Sequence, residues 1–419
     1  MLITHPRVGK AATAGDGTLP RAIPRELAAD LAAMSPAHLP GATRRPHICF
    51  VAPEAWPVFS ANAEIAVVGG AEVQQSTLAR LLAGAGYRVS MICFDYGQPE
   101  RVMLHGVEVV RCHPRDAGVP VLRFLHPRLT GMWRAMRAVD ADIYYQRSAA
   151  MLTAVVAAFC RWHGKRSIYA GASDSDFRPG RQEILYRRDR WLFERGLAAV
   201  DAVVVQNETQ QRDCLAAYGR SATLIPSCYE LPADADPGRG DYVLWVATLR
   251  PGKRPELFLE LARRLPHRRF VMIGGAAADP GGAAYFAAIR RAALALPNVE
   301  FAGFLPLAEV EPRFDRARVV VNTSTFEGMP NVFLQAWARG VPTVAFIDVG
   351  ARLRGRPLYR VVADAASAAA DIERYFVDDL HRLRSALRCR HYFAVTHGSK
   401  AVLAHYRRLL DTPPAEPRR

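Results

Sequence analysis

The chain lacks the features that would send it through a membrane, along a secretory route or onto a nucleic acid. No apolar run approaches the roughly 18–20 residues needed to span a bilayer, and the longest candidate, residues 151–160, is closed by Arg161. The first residues carry no hydrophobic core of the signal-peptide kind. Cysteine is scarce, seven residues with no CxxC pair. Cys49 and Cys93 fall inside apolar, strand-like runs. The set reads as reduced, buried thiols of a cytoplasmic protein. Acids are outnumbered, 40 Asp and Glu against 55 Lys and Arg, for a net charge of +15. A basic surface can meet nucleic acid, anionic lipid or phosphorylated substrates. There is no helix-turn-helix, zinc-finger or RNP pattern, so nucleic acid is the weakest of the three. Abundant Ala and Arg also fit a GC-rich genome, which assigns part of the charge no function.

What is present is enough chain for two cores: 419 residues, half of them hydrophobic, against about 100–200 residues per domain. Residues 1–45 are rich in Ala, Pro, Gly and Thr and read as a loosely ordered extension with one helical patch at 25–34. Apolar runs at 47–52, 88–94, 107–111, 143–146, 167–170 and 202–206 then alternate with helical stretches such as 71–86. After a Pro- and Gly-rich linker at 232–240, a second series follows at 242–247, 270–274, 299–302, 319–322 and 343–346. Such alternation predicts parallel, doubly wound sheets. The expected fold is α/β, two Rossmann-like domains facing a cleft, covering 46–232 and 233–375. A helical segment at 376–411 can cross back to the first domain, and a Pro-rich tail occupies 412–419.

Three loops at strand-to-helix junctions can carry chemistry. Gly69 and Gly70 open the first long helix and permit close backbone approach to a ligand; a glycine pair alone also serves as a tight turn. Arg250 and Lys253 sit in the loop 247–255, where two cations can neutralise a diphosphate leaving group or simply be solvated. The segment 324–336 follows a strand and opens a helix, with Glu327 before its start, Gly328 and Met329 in the turn, and Pro330 and Asn331 in its first turn. Gln335 lies among apolar neighbours on that helix. A helix start suits a phosphate, and the polar side chains suit hydroxyls beside it; an ordinary capped core helix reads the same way. Gly274 and Gly275 form another glycine-rich strand end.

These motifs occur in the order seen in family 4 glycosyltransferases, and the chain resembles them over roughly residues 47–410. The resemblance implies a retaining enzyme of the GT-B fold whose second domain binds a nucleotide-sugar donor. Glu327 matches the first acid of the family's two-acid motif, near the donor sugar. The second acid, eight positions on and near the ribose, is Gln335 here, an amide that still hydrogen-bonds a diol. The family's phosphate-binding Arg falls at Thr248, with Arg250 as its proposed substitute. The family's His near the donor has its neighbourhood at Ala172-Ser173-Asp174, so either Asp174 takes its role or the sugar contact differs. An Asp174-x-Asp176 pair also resembles a metal motif, but of the other glycosyltransferase fold, and two acids supply too few oxygens for a hard cation.

The expected activity is therefore transfer of a sugar from a nucleotide diphosphate sugar to a hydroxyl of a lipid-linked or polysaccharide acceptor. Glu327, Arg250, Lys253 and Asp174 are the expected catalytic residues. Gly69, Gly70, Gly274, Gly275, Gly328, Met329, Pro330, Asn331 and Gln335 are the expected donor-binding residues. No cofactor and no metal are expected. The basic and aromatic run 181–195 fits an anionic membrane surface or an acceptor phosphate; a helix burying Leu185, Leu192 and Phe193 is the alternative. The location is cytoplasmic, with peripheral attachment to the inner face of a membrane open. An epimerase or hydrolase of the same fold, or a non-catalytic sugar-nucleotide-binding subunit, are the rival functions.

Overall fold

The computed structural model describes residues 45–60, 69–118, 124–231 and 240–411. The extension, most of the linker and the tail expected from sequence lie outside the described residues. Among those described, short apolar runs become parallel strands buried on both faces, the environment that such runs require.

The first sheet contains β1 (Ile48–Val51), β2 (Val89–Asp95), β3 (Arg101–Leu104), β4 (Val107–Pro114), β5 (Ile143–Arg147), β6 (Arg166–Ala170), β7 (Ala202–Val205) and β8 (Thr223–Leu224). Their order is β3-β4-β2-β1-β5-β6-β7-β8. All neighbours run parallel except β3 against β4. The second sheet contains β9 (Tyr242–Val246), β10 (Arg269–Ile273), β11 (Val299–Gly303), β12 (Ala317–Asn322) and β13 (Thr343–Ala345), in the order β11-β10-β9-β12-β13, all parallel. The chain direction across each sheet reverses once at its first strand, between β1 and β5 and between β9 and β12. Crevices for ligands open at such points, beyond the carboxyl ends of the strands.

The expected strands are present with ends shifted by up to a few residues. β3, β8 and a small antiparallel hairpin of β14 (Arg352–Leu353) and β15 (Arg356–Pro357) were not expected. The hairpin strands and β8 are two residues long, and β3 alternates exposed with half-buried positions. None of them has the continuous apolar run that marks a buried strand.

Where a helical segment was expected at 376–411, the chain forms three helices from residue 365 on, Ala365–Val377, Asp379–Thr396 and Ser399–Asp411. Asp378 caps the second, accepting from the His381 N–H at 2.8 Å. The break at His397 and Gly398 lies beside residues 227–229: His397 Nδ1 meets the Ser227 carbonyl at 2.8 Å, and Tyr229 pairs with Gly398. Burial pushes the His397 imidazole down to about 4, so it is neutral there. Past this break the chain returns to the first domain. Val402, Tyr406 and Leu410 join the core of Phe50, Leu78, Met91 and Tyr145. The Tyr406 hydroxyl lies 3.2 Å from that of Tyr145, and Tyr87 donates to Asp411 at 2.9 Å.

The last helix is thus part of the first domain's core. Tyr406→Ala should cost about 3–5 kcal/mol, the usual loss for a buried large aromatic, read from urea unfolding. A loss under about 1 kcal/mol would show that the helix merely rests on the surface.

Candidate active site

Both direction reversals face one cavity of about 670 Å³. Second-domain loops form one wall. β12 ends at Asn322, whose side chain accepts from the Ser324 N–H at 2.9 Å and turns the chain. Ser324 Oγ then donates to Glu327 Oε1 at 2.6 Å, and Lys253 Nζ pairs with the same oxygen. The loop after β9 is tied alongside: Thr323 Oγ1 donates to the Lys253 carbonyl at 2.5 Å and accepts from Trp245 Nε1 at 2.9 Å. The Thr325 N–H reaches the Gly252 carbonyl at 2.9 Å. Lys253 and Glu327 are both mostly buried, so the lysine's charge is compensated by the acid expected to orient a sugar.

Arg250 is held differently. Its Nη1 lies 3.1 Å from Glu183 of the first domain, and both side chains are substantially exposed. An exposed pair of this kind contributes about 0–1 kcal/mol, so the guanidinium is free to exchange partners. Gly274 and Gly275 lie at the end of β10. A side chain on Gly274 would put its Cβ 1.9 Å from the Ala247 carbonyl oxygen, so only glycine fits.

The segment before the Asn331–Arg339 helix meets the first domain. Pro330 is its N-cap, one position earlier than the first-turn place expected from sequence. A Cβ on Gly328 would fall 2.9 Å from Gln210 Nε2, 3.0 Å from the Ala172 carbonyl and 3.2 Å from Gln206 Nε2. Asn331 donates to the Gly70 carbonyl at 3.2 Å and accepts from Gln74 Nε2 at 2.8 Å. Gly328 and Asn331 therefore join the domains as well as lining the cavity. Met329 is buried in the second core. Gly69, Gly70 and Glu72 border the cavity where the Gly70–Gly84 helix starts; burial raises the Glu72 carboxyl.

Gln335 lines the cavity, but its amide is engaged. Nε2 donates to Glu311 Oε1 at 2.9 Å. Glu311 Oε2 accepts from Tyr229 at 2.6 Å and from Arg339 Nη2 at 3.0 Å. Arg339 also binds Asp315 at 2.6 Å. The residue at the ribose-side position is the cavity-facing end of a buried polar network.

Of the expected site residues, Asp174 alone does not line the cavity. Its carboxylate accepts from Asn207 at 3.1 Å and Gln210 at 2.9 Å, which ties two elements of the first domain together. Asp176 lines it, yet is occupied by Tyr169 OH at 2.9 Å and the Ala172 N–H at 2.8 Å. Burial raises its carboxyl to about 6. Sequence reasoning missed Arg147, Asn322 and Asp279 among the lining residues.

Residues 68–231 match the family model described as Glycosyltransferase Family 4, and residues 240–378 that described as Glycosyl transferases group 1. No curated protein matches the chain. Among solved structures, sucrose-phosphate synthase from Thermosynechococcus elongatus is similar with a TM-score of 0.66 at 18% identity, over 88% of this chain and 98% of that one. HepE of Anabaena, solved with UDP and glucose, gives 0.65 at 16% identity over 87% and 99%. A glycosyltransferase from Rickettsia africae ESF-5 gives 0.63 at 12% over 88% and 98%. Two doubly wound domains around one cavity and these matches define a glycosyltransferase of the GT-B fold. A Glycosyltransferase Family 4 domain occupies its first half and a Glycosyl transferases group 1 domain its second.

The Gln335 contact yields a test. Gln335→Glu would set a second carboxylate against Glu311, and like charges at that range raise a shared pKa. A raised folded-state carboxyl is harmless at low pH and destabilises as pH rises through it. The variant should match the parent's unfolding free energy near pH 5 and fall below it by pH 8, by about 1–3 kcal/mol. Equal stability at pH 8 would mean that Glu311 does not hold the amide.

Proposed function

We propose that this chain is a retaining glycosyltransferase that moves a sugar from a nucleotide diphosphate sugar to a hydroxyl of a lipid-linked or polysaccharide acceptor. The observation that carries the reading is one cavity wall on which Arg250, Lys253, Glu327 and the side-chain-free edge at Gly274 stand together. Arg250 exchanges Glu183 for the diphosphate, and Lys253 shares its charge between Glu327 and the phosphate. Glu327 orients the donor sugar. The bond from the sugar's anomeric carbon to the β-phosphate oxygen breaks, and the acceptor oxygen bonds to that carbon on the same face. The acceptor's proton passes to the departing phosphate oxygen, so charge develops where the two cations lie and no metal is required. HepE has been solved with UDP-glucose, which makes uridine nucleotides the first probes.

UDP and UDP-sugars should raise the melting temperature by mass action. Glu327→Ala should cut transfer by orders of magnitude with little loss of stability. Arg250→Ala and Lys253→Ala should each lower turnover on the order of a hundredfold. Arg250→Lys should recover only part, lacking the planar fork that grips two phosphate oxygens, and EDTA should have no effect. A silent Arg250→Ala, or activity abolished by EDTA and restored by Mn²⁺, would overturn this mechanism. UDP binding without turnover on any donor would instead favour a binding subunit.

Among the described residues no helix is long and apolar enough to cross a membrane. The acceptor class is supported by a surface feature of the first domain. Leu185, Tyr186 and Trp191 are exposed, contrary to the reading that buries Leu185, while Phe193 is in the core. Arg187, Arg188 and Arg195 lie on the same exposed stretch, and Arg195 stacks over Trp191 at 5.3 Å. Apolar side chains beside arginines suit an anionic bilayer surface. Flotation should recover the protein with anionic liposomes at low salt and release it at high salt. Equal binding to neutral vesicles, or none to either, would remove peripheral attachment from the proposal.

A further inference from the structure

A buried arginine without a carboxylate partner is costly, because taking the charge out of water is repaid only by pairing and hydrogen bonding. The other deeply buried arginine of the active-site region, Arg339, obeys this, held by Glu311, Asp315 and Tyr229. Arg147 does not. It is 8% exposed, and its Nε is sealed from solvent with no hydrogen-bond partner among the described residues. Among the described residues its guanidinium makes no ion pair. It lines the cavity as the last residue of β5, at the β1–β5 reversal where the first domain's crevice opens.

The backbone beneath it is fixed in place. Gln146 Nε2 donates to the carbonyls of Arg147 at 2.9 Å and Ser148 at 2.7 Å, and Gln146 Oε1 accepts from Thr153 at 2.8 Å. Ser148 has φ of 78°, a left-handed conformation that costs a non-glycine residue about 1–3 kcal/mol. Two acids face the same cavity within electrostatic reach, Asp176 and Glu72. Asp176 is taken up by Tyr169 and backbone N–H groups, and neither acid bonds to Arg147.

We infer that Arg147 receives an anionic group, a carboxylate or a phosphate, carried by the acceptor close to the hydroxyl that is glycosylated. The inference rests on the proposed transfer reaction, in which Arg250 and Lys253 of the other domain already match the donor's diphosphate. That leaves Arg147 for a charge on the acceptor side. Its planar fork suits both oxyanions. The acceptor class is then an acidic glycan or a sugar phosphate, including a sugar joined to lipid through phosphate.

The test titrates the UDP-saturated protein with glucose, methyl glucuronide and glucose 6-phosphate by calorimetry, for the parent, Arg147→Gln and Arg147→Lys. One or both anionic probes should bind at least tenfold more tightly than glucose; which one does separates carboxylate from phosphate. Arg147→Gln should remove that preference, Arg147→Lys should keep part of it, and the UDP-induced thermal shift should be the same in all three. Equal binding of glucose and both anions, or an anion preference that survives Arg147→Gln, overturns the inference. If Arg147→Gln loses the UDP shift by misfolding, Arg147→Lys decides: a several-fold loss of anion affinity supports the assignment and no loss overturns it. If the parent shows no UDP shift, the donor reading fails separately, and the same titration without UDP still decides whether Arg147 holds an oxyanion. A preference for UDP-glucuronate over UDP-glucose that Arg147→Gln abolishes would place the anion on the donor and overturn the acceptor assignment.

Discussion

The side-chain amide of Gln74 is the tie on which the cavity depends. It lies on the helix that opens at Gly70, and it donates to the Cys228 carbonyl and to Asn331 Oδ1, both at 2.8 Å, while accepting from the Cys228 N–H at 2.9 Å. One buried amide thereby joins a first-domain helix, the segment leading out of the first domain, and the helix start that follows Glu327. Such a group is costly to leave unsatisfied, so the three segments hold one another. Gly328 closes the same seam, its bare Cα set against Gln206, Gln210 and Ala172. The return of the chain at His397 and Gly398 runs beside Ser227 and Tyr229. The cavity exists because these contacts bring the carboxyl ends of two separate sheets together.

Within that frame the glycines and the charges do different jobs. Gly274 clears the strand end after β10 because the neighbouring carbonyl leaves no room for a side chain. Lys253 and Glu327 come from loops 74 positions apart in sequence, and they are joined through Thr323 and Ser324, which belong to one turn. Their geometry is therefore set by the turn, not by the two charges finding each other. Preorganisation of this kind is what electrostatic stabilisation of a transition state requires, since no reorientation is needed as charge develops.

The fold was legible in the sequence because a parallel strand buried on both faces must be an unbroken apolar run, and the runs from Ile48 to Ala345 announce themselves. β3 was not, because an exposed edge strand places no such demand on its residues. In the site, the loops around Arg250 and Glu327 were legible as cations and an acid at strand-to-helix junctions. Their pairings were not, because Glu183 and Arg250 are 67 positions apart and no local pattern links them. That Asp174 does not reach the cavity was not legible for the same reason: its partners, Asn207 and Gln210, lie at the start of a helix that follows another strand. Arg147 was overlooked because the strand was read as ending at the polar Gln146. In the structure Gln146 is itself buried, its amide spent on the backbone around it.

The two walls of the cavity hold their positive charge in opposite ways. In the second domain each cation has an acid within the protein, Lys253 with Glu327 and Arg250 with Glu183. A polyanionic ligand there replaces one negative partner by another, so the cations change company without a large change in desolvation. Among the described residues of the first domain Arg147 has no such acid, and the acids nearest to it are engaged elsewhere or unbonded to it. Asp176 is diverted to Tyr169 and backbone N–H groups, and Ser148 holds a strained conformation that fixes the turn after the arginine. A cation kept unpaired at a cost gains most from a partner that brings its own negative charge, and gains little from a neutral hydroxyl. The first wall therefore selects by charge, whereas the second exchanges it.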